Sequence, residues 1–160
     1  MSGSLFSFFK AKRGAALVEF SLVAPLLVFL MCGLAEFSLV MRQYHIMEKG
    51  ARDAGRYLAR VPMTGCTLNG GAVTQAQNLA LTGRADGGSY LLPSWTDPST
   101  VSVTVAQCFN NSGGAYRGRA NMPVIEVTAH APYADLGLLS VIGLNDIDLE
   151  VSQQQLWIGE

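Results

Sequence analysis

One stretch leaves this chain little freedom. From Phe20 to Ala35 every side chain is apolar or small, and after Glu36 the run resumes from Phe37 to Met41. Counted from Ala15, it meets the roughly 20 apolar residues that a helix needs to cross a bilayer core. A cleaved secretory signal has a shorter apolar core followed by a small-x-small site. Here the core is longer and no clear Ala-x-Ala follows, so the apolar part is expected to stay as an anchor. Pro25 breaks a soluble helix, but neighbouring groups in a membrane re-satisfy the freed carbonyl, so a kinked spanning helix is the reading.

The remainder bounds what the anchor can carry. A chain of 160 residues has room for one small domain beside a membrane segment. The formal net charge of -1 offers no basic surface to release counterions from phosphates, which argues against nucleic acid as a partner.

Orientation does not follow from counting basic residues. Lys10, Lys12 and Arg13 precede the run, whereas Arg42, Lys49, Arg52, Arg56 and Arg60 follow it. The first three crowd directly against the apolar boundary and only Arg42 does so on the other side, which favours a cytoplasmic N-terminus.

Glu19 stands just inside that boundary, where a carboxylate costs roughly 2.5 to 3.5 kcal/mol on insertion scales and is by default functional and paired. The plain alternative is that it snorkels to the interface. Its flanks are informative. A basic leader ends at Gly14, four residues follow, and Glu19-Phe20 opens the hydrophobic helix. Arg13 to Phe20, with Pro25, Gly33, Glu36 and the stretch Ala51-Arg52-Asp53-Ala54-Gly55-Arg56-Tyr57, resembles TadE-like proteins, pilin-like components of the Tad (Flp-type) pilus machinery. The likeness covers about the first 60 residues.

The resemblance implies cleavage between Gly14 and Ala15 by a prepilin peptidase at the cytoplasmic face. It also implies that the Ala15 ammonium meets a neighbouring subunit's Glu19 and sets subunit register, a pairing that lowers the cost of both charges in the bilayer. Flp pilins usually carry Tyr after that Glu. Phe20 and the greater length suit a TadE-type minor pseudopilin better than a major pilin.

The helix is expected to continue past the membrane until Val61-Pro62. Glu48 and Arg52 fall at favourable i,i+4 spacing. Ala51, Gly55 and Ala59, beside Gly50 and Ala54, form a small face that admits close helix packing, either on this chain's own domain or between subunits. The arginines here are read as a solvated face rather than a phosphate or lipid site.

Residues from Met63 to about Pro98 are punctuated by Gly and Pro and read as loop-rich. Thr74 is placed to cap one short helix over 75–81, with Ala76, Leu79 and Ala80 inward and Gly83 as its stop. Three strands follow by alternation: Val101-Val103-Val105, Ile125-Val127-Ala129-Ala131, and Ile147-Leu149-Val151 running on towards Trp157. They predict an antiparallel sheet with one apolar face, covered by the outer half of the long helix. The run 136–144 is too short to span a bilayer and reads either as core or as an exposed patch for a partner or the membrane surface.

Cys32 is an apolar filler within the membrane run. Cys66 and Cys108, with no C-x-x-C and a Gly-rich insertion between them, suit a disulfide in an oxidising periplasm rather than two separate thiols. His45 and His130 have no evident ligand set or nucleophile, so no metal site is expected. Hydrolase, phosphate-loop and dinucleotide motifs are absent from the sequence. Asn110-Asn111-Ser112 is a chance sequon, and the Asp146/Asp148/Glu150 group needs no catalytic role.

The expected organisation is α+β. A leader spans 1–14, a transmembrane helix 15–41, its periplasmic extension 42–61 and a small periplasmic domain 62–160, in the bacterial inner membrane or at the cell surface if the subunit enters a pilus. The expected function is a non-enzymatic structural subunit of Tad/Flp pilus assembly. Its partners would be the prepilin peptidase, other pilin and pseudopilin subunits, the inner-membrane assembly platform and the lipid bilayer, with no cofactor and no small-molecule substrate. The alternative is an uncleaved single-pass protein with a periplasmic binding or scaffolding domain.

Overall fold

The computed structural model describes residues 12–111, 120–137, 139, 143 and 147–159, with the side chains of residues 12 and 13 excepted. The expected leader up to residue 11, most of the 136–144 run, Ser112 of the sequon and Asp146 lie outside the described residues.

Helix α1 (Lys12–Leu58) is a single α-helix that passes through Pro25 without interruption. Its two halves differ in what surrounds them. From Leu17 to Leu34 the large apolar side chains expose between 43% and 75% of their surface. In the outer half, Met47, Ala51, Ala54 and Leu58 are buried, three to four residues apart as one helical face demands.

That face meets a second helix and a sheet. Helix α2 (Gly70–Thr82) starts earlier than the sequence suggested, because Asn69 holds an extended backbone and its side chain accepts from the Gly71 N–H. Thr74 is instead inside the helix, its hydroxyl donating back to the Gly70 carbonyl. Gly83 ends α2 in the left-handed conformation, φ 75°, with its N–H on the Leu79 carbonyl.

The sheet has the order β1-β2-β3, formed by β1 (Val101–Asn110), β2 (Asn121–Pro132) and β3 (Asp148–Leu156), antiparallel throughout. One face carries Val101, Ile125, Val127, Ala129, Ala131, Leu149 and Val151 into the core against α1 and α2. On the other face Glu126 accepts from Ser152 and Gln154, as suits a solvated surface.

A register shift between Val105 and Gln107 adds one residue to β1. Directly paired residues share a face, so Cys108, opposite buried Pro123, lies on the core side of the sheet. Without the extra residue it would face the other way. Cys66 and Cys108 form a disulfide with a Cα–Cα distance of 6.1 Å. The C-terminal end is tied back to α1: the Ile158 and Gly159 N–H groups donate to the Ala59 carbonyl and Trp157 Nε1 to the Val61 carbonyl. These bonds satisfy the Ala59 carbonyl, at the end of the helix, and the Val61 carbonyl in the turn beyond it.

Candidate functional site: the exposed helix and its latch

Gly14 and Ala15 lie within the first turns of α1, and Ala15, Glu19 and Phe20 are exposed. Ala15 and Glu19 are four residues apart, so they share one helix face one turn apart. Proline has no N–H for the Ser21 carbonyl four residues back, leaving a backbone acceptor on the same exposed segment. Ser38 raises no such demand, because its hydroxyl donates to the Leu34 carbonyl at 2.8 Å.

Where the exposed run ends, the chain closes on itself. Glu36 is only 2% exposed, and its carboxylate accepts from the Tyr133 hydroxyl at 2.6 Å and from the Leu136 N–H at 3.2 Å. Two turns on, Gln43 grips the same loop with both ends of its amide. Nε2 donates to the Ala134 carbonyl at 2.8 Å, and Oε1 accepts from the Ala134 N–H at 3.2 Å. Segment 133–136 is thus latched to α1 by two polar side chains on the core-facing side. Burial, the hydrogen bond to Glu36 and the nearby charges of Glu36 and Asp135 hold the Tyr133 phenol well above its ordinary pKa.

Neither Gln43 nor Tyr133 stood out in the sequence, where Glu36 read as an acidic interruption and as part of the TadE-like resemblance, with no partner named. The available signal was spacing: Glu36, Val40, Gln43 and Met47 fall at successive intervals of four, three and four residues, placing two polar groups on the face that later becomes core.

The small face serves the chain's own domain. Ala51 and Ala59 are buried, and Gly55 lies against Gln155 and Val127. The closest approach is at Gly50, where a Cβ would stand 2.4 Å from the Ala80 carbonyl oxygen. Arg52 pairs with Glu48 and Lys49 with Asp53 along the solvated side.

No group of three or more His, Cys, Asp or Glu side chains placed to hold a metal ion occurs among the described residues. His45 lies 3.6 Å from Glu48, and His130 lies 3.9 Å from Glu150, both on the exposed surface. A shallow opening of about 200 Å³, lined among the described residues by Met63, Gly65, Ala120, Asn121 and Trp157, brings together no set of titratable groups among them. It is smaller than the roughly 300 to 1,000 Å³ usual for ligand pockets.

No curated protein and no solved structure matches the chain. A family model described as TadE-like protein matches residues 14–56. The chain is therefore similar to TadE-like proteins from Gly14 to Arg56, a stretch that takes in the exposed half of α1, the two helix residues of the latch, Glu36 and Gln43, and most of the face packed into the core.

Proposed function

We propose that this chain is a pilin-like, membrane-anchored structural subunit, a TadE-type minor pseudopilin of Tad/Flp pilus assembly. The observation that carries the proposal is the coincidence of the TadE-like match with an α-helix whose apolar first half is open to its surroundings. The family is one of structural pilus components, which favours an assembly role over catalysis.

In this reading, residues 1–14 are a cytoplasmic leader that a prepilin peptidase removes after Gly14. Residues 15–41 then hold the subunit in the inner membrane, 42–61 continue the helix, and 62–160 form the periplasmic domain. The disulfide suits that oxidising compartment. The new Ala15 ammonium has two possible acceptors, the subunit's own Glu19 one turn away and a neighbour's Glu19. A neighbour's carboxylate sets register between subunits and is the one that matters for assembly.

Intact mass and N-terminal sequencing of the membrane-extracted protein, co-expressed with the peptidase, test this directly. A chain beginning at Ala15 is expected. A chain that keeps residues 1–14 sinks the prepilin reading in favour of an uncleaved single-pass scaffold.

A further inference from the structure

The inference rests on the membrane-anchored part of the reading above and concerns where the bilayer surface lies on the molecule. Taking about 1.5 Å per residue, the helix from Ala15 to Ala35 spans about 31 Å, which matches a hydrocarbon core of about 30 Å. On the core-facing side of α1 the folded domain begins at once, with Glu36 latched to Tyr133 and Leu136. On an adjacent side the apolar surface continues. Leu30, Leu34, Phe37, Met41 and Tyr44 follow one another at spacings of four, three, four and three residues, so they form one stripe along the helix. Phe37, Met41 and Tyr44 remain 59%, 39% and 37% exposed. One turn further along the stripe come Glu48 and Arg52, paired with each other.

The polar boundary thus falls at Glu36 on one side of the helix and between Tyr44 and Glu48 on the other. Residues 36 to 41 cover about 8 Å of helix, close to the roughly 5 to 7 Å that a headgroup layer adds to each side of the core, whereas Tyr44, about 12 Å above Glu36, stands beyond that layer. The latch adds a second chain segment at the lower level. The Leu136 backbone is hydrogen-bonded to Glu36, and the Leu136 side chain is 61% exposed.

We infer that the folded domain does not stand clear of the membrane but sits in its interfacial layer, with Phe37 and Met41 on the helix and Leu136 on the latched loop lying against lipid. The apolar stripe is continuous with the spanning surface, which favours lipid as its occupant. Exposed Arg42 beside Met41 fits a headgroup region, the arginine reaching phosphate. The Glu36 and Gln43 latch is the device that fixes this depth, since it holds the loop against the helix at two levels.

The test uses the full chain with Cys32→Ala, its disulfide intact, in phosphatidylethanolamine/phosphatidylglycerol vesicles at low protein-to-lipid ratio. Nitroxide labels are placed singly at L27C, F37C, M41C, L136C and T104C, all exposed positions. Accessibility to oxygen and to a water-soluble nickel chelate gives the depth of each. The expected result is a deep Leu27 label, an aqueous Thr104 label, and labels at 37, 41 and 136 that favour oxygen over nickel at shallow depth. Labels at 41 and 136 as accessible to nickel as that at 104, with 27 still deep, overturn the inference and leave the anchor standing. Labels shielded from both reagents and coupled to one another mean that a second copy covers the stripe, which also overturns it. An aqueous Leu27 label overturns the spanning reading itself, and the inference with it.

Discussion

Gly50→Ala is the most exacting perturbation of this fold. Gly50 sits where α1 and α2 meet, and an added Cβ would lie 2.4 Å from the Ala80 carbonyl oxygen and 3.2 Å from its carbon. The obstruction is backbone, so no rotamer change relieves it and the two helices must separate. Overpacking costs about 1 to 3 kcal/mol, and an obstruction by backbone at 2.4 Å falls at the upper end, about 2 to 3 kcal/mol. Replacing Gly by Ala inside a helix returns about 1 kcal/mol through propensity. The net loss is about 1 to 2 kcal/mol, which for a domain of this size lowers the melting midpoint by about 5 to 15 °C. Gly55→Ala is the matched control, because its Cβ would stand 3.2 Å from Gln155 Cγ, on a side chain able to swing aside, and its midpoint should stay within about 5 °C. The two tryptophans, Trp95 and Trp157, are 1% and 7% exposed in the folded domain, so their fluorescence in detergent-solubilised full chain reports its unfolding. A Gly50→Ala protein that melts at or above the parent would refute the close-approach argument.

Other consequences can be checked on the same preparation. Closing a separation of 42 residues, the Cys66–Cys108 bond contributes about 4 kcal/mol in the chain-entropy account, so reduction or Cys108→Ser should lower the midpoint sharply. Free alkylation of both thiols without reductant refutes the bond. The raised Tyr133 pKa means that the folded state keeps a proton the unfolded chain releases near pH 10. Its stabilisation is complete below about pH 10 and is lost as pH rises towards the folded-state value, so the alkaline decline in midpoint should be shallower in Tyr133→Phe than in the parent. That variant also leaves the Glu36 carboxylate short of one donor and should lose about 1.5 to 3 kcal/mol at neutral pH. Gly14→Leu should block the proposed cleavage, read by mass. Glu19→Ala should be cleaved but incorporated less with partner subunits, and pilus assembly equal to the parent's would count against a register role.

What the sequence revealed and what it hid follow from how far each signal reaches. Alternation at two-residue intervals marked all three strands because one face of the sheet is core and the other is solvent, a contrast written in every adjacent pair from Ile125 to Ala131. The first turn of α2 was hidden because Gly70-Gly71 resembles loop punctuation, and only the backbone geometry of Asn69 turns it into a helix start. The bulge in β1 was also invisible: Ala106 continues an alternating pattern, yet the residue inserted there decides the side of the sheet on which Cys108 emerges. The small residues around Gly50 signalled close packing without naming a partner, and the structure supplies α2 and the sheet of the same chain. The latch lay beyond local patterns altogether, since Glu36 and Tyr133 are 97 residues apart.

The latch also separates the two carboxylates that interrupt the apolar half of α1. In sequence they look alike, each an acid in a hydrophobic run. Glu36 is enclosed by the chain's own loop, and its acceptor oxygens are occupied by Tyr133 and the Leu136 N–H. A partner reaching for it would first have to displace donors whose loss leaves a buried charge under-satisfied. Glu19 is exposed on the helix, one turn from the proposed new N-terminus. Of the two acids, Glu19 is the one open to another subunit, whereas Glu36 holds the folded domain at a fixed height on the helix. Exchanging each for its amide separates these roles. Glu19→Gln should leave the unfolding midpoint unchanged and act only on assembly, while Glu36→Gln should lower the midpoint whether or not a partner is present. A Glu19→Gln protein that unfolds as early as Glu36→Gln would show that both acids serve the fold, and the division of labour along α1 would be lost.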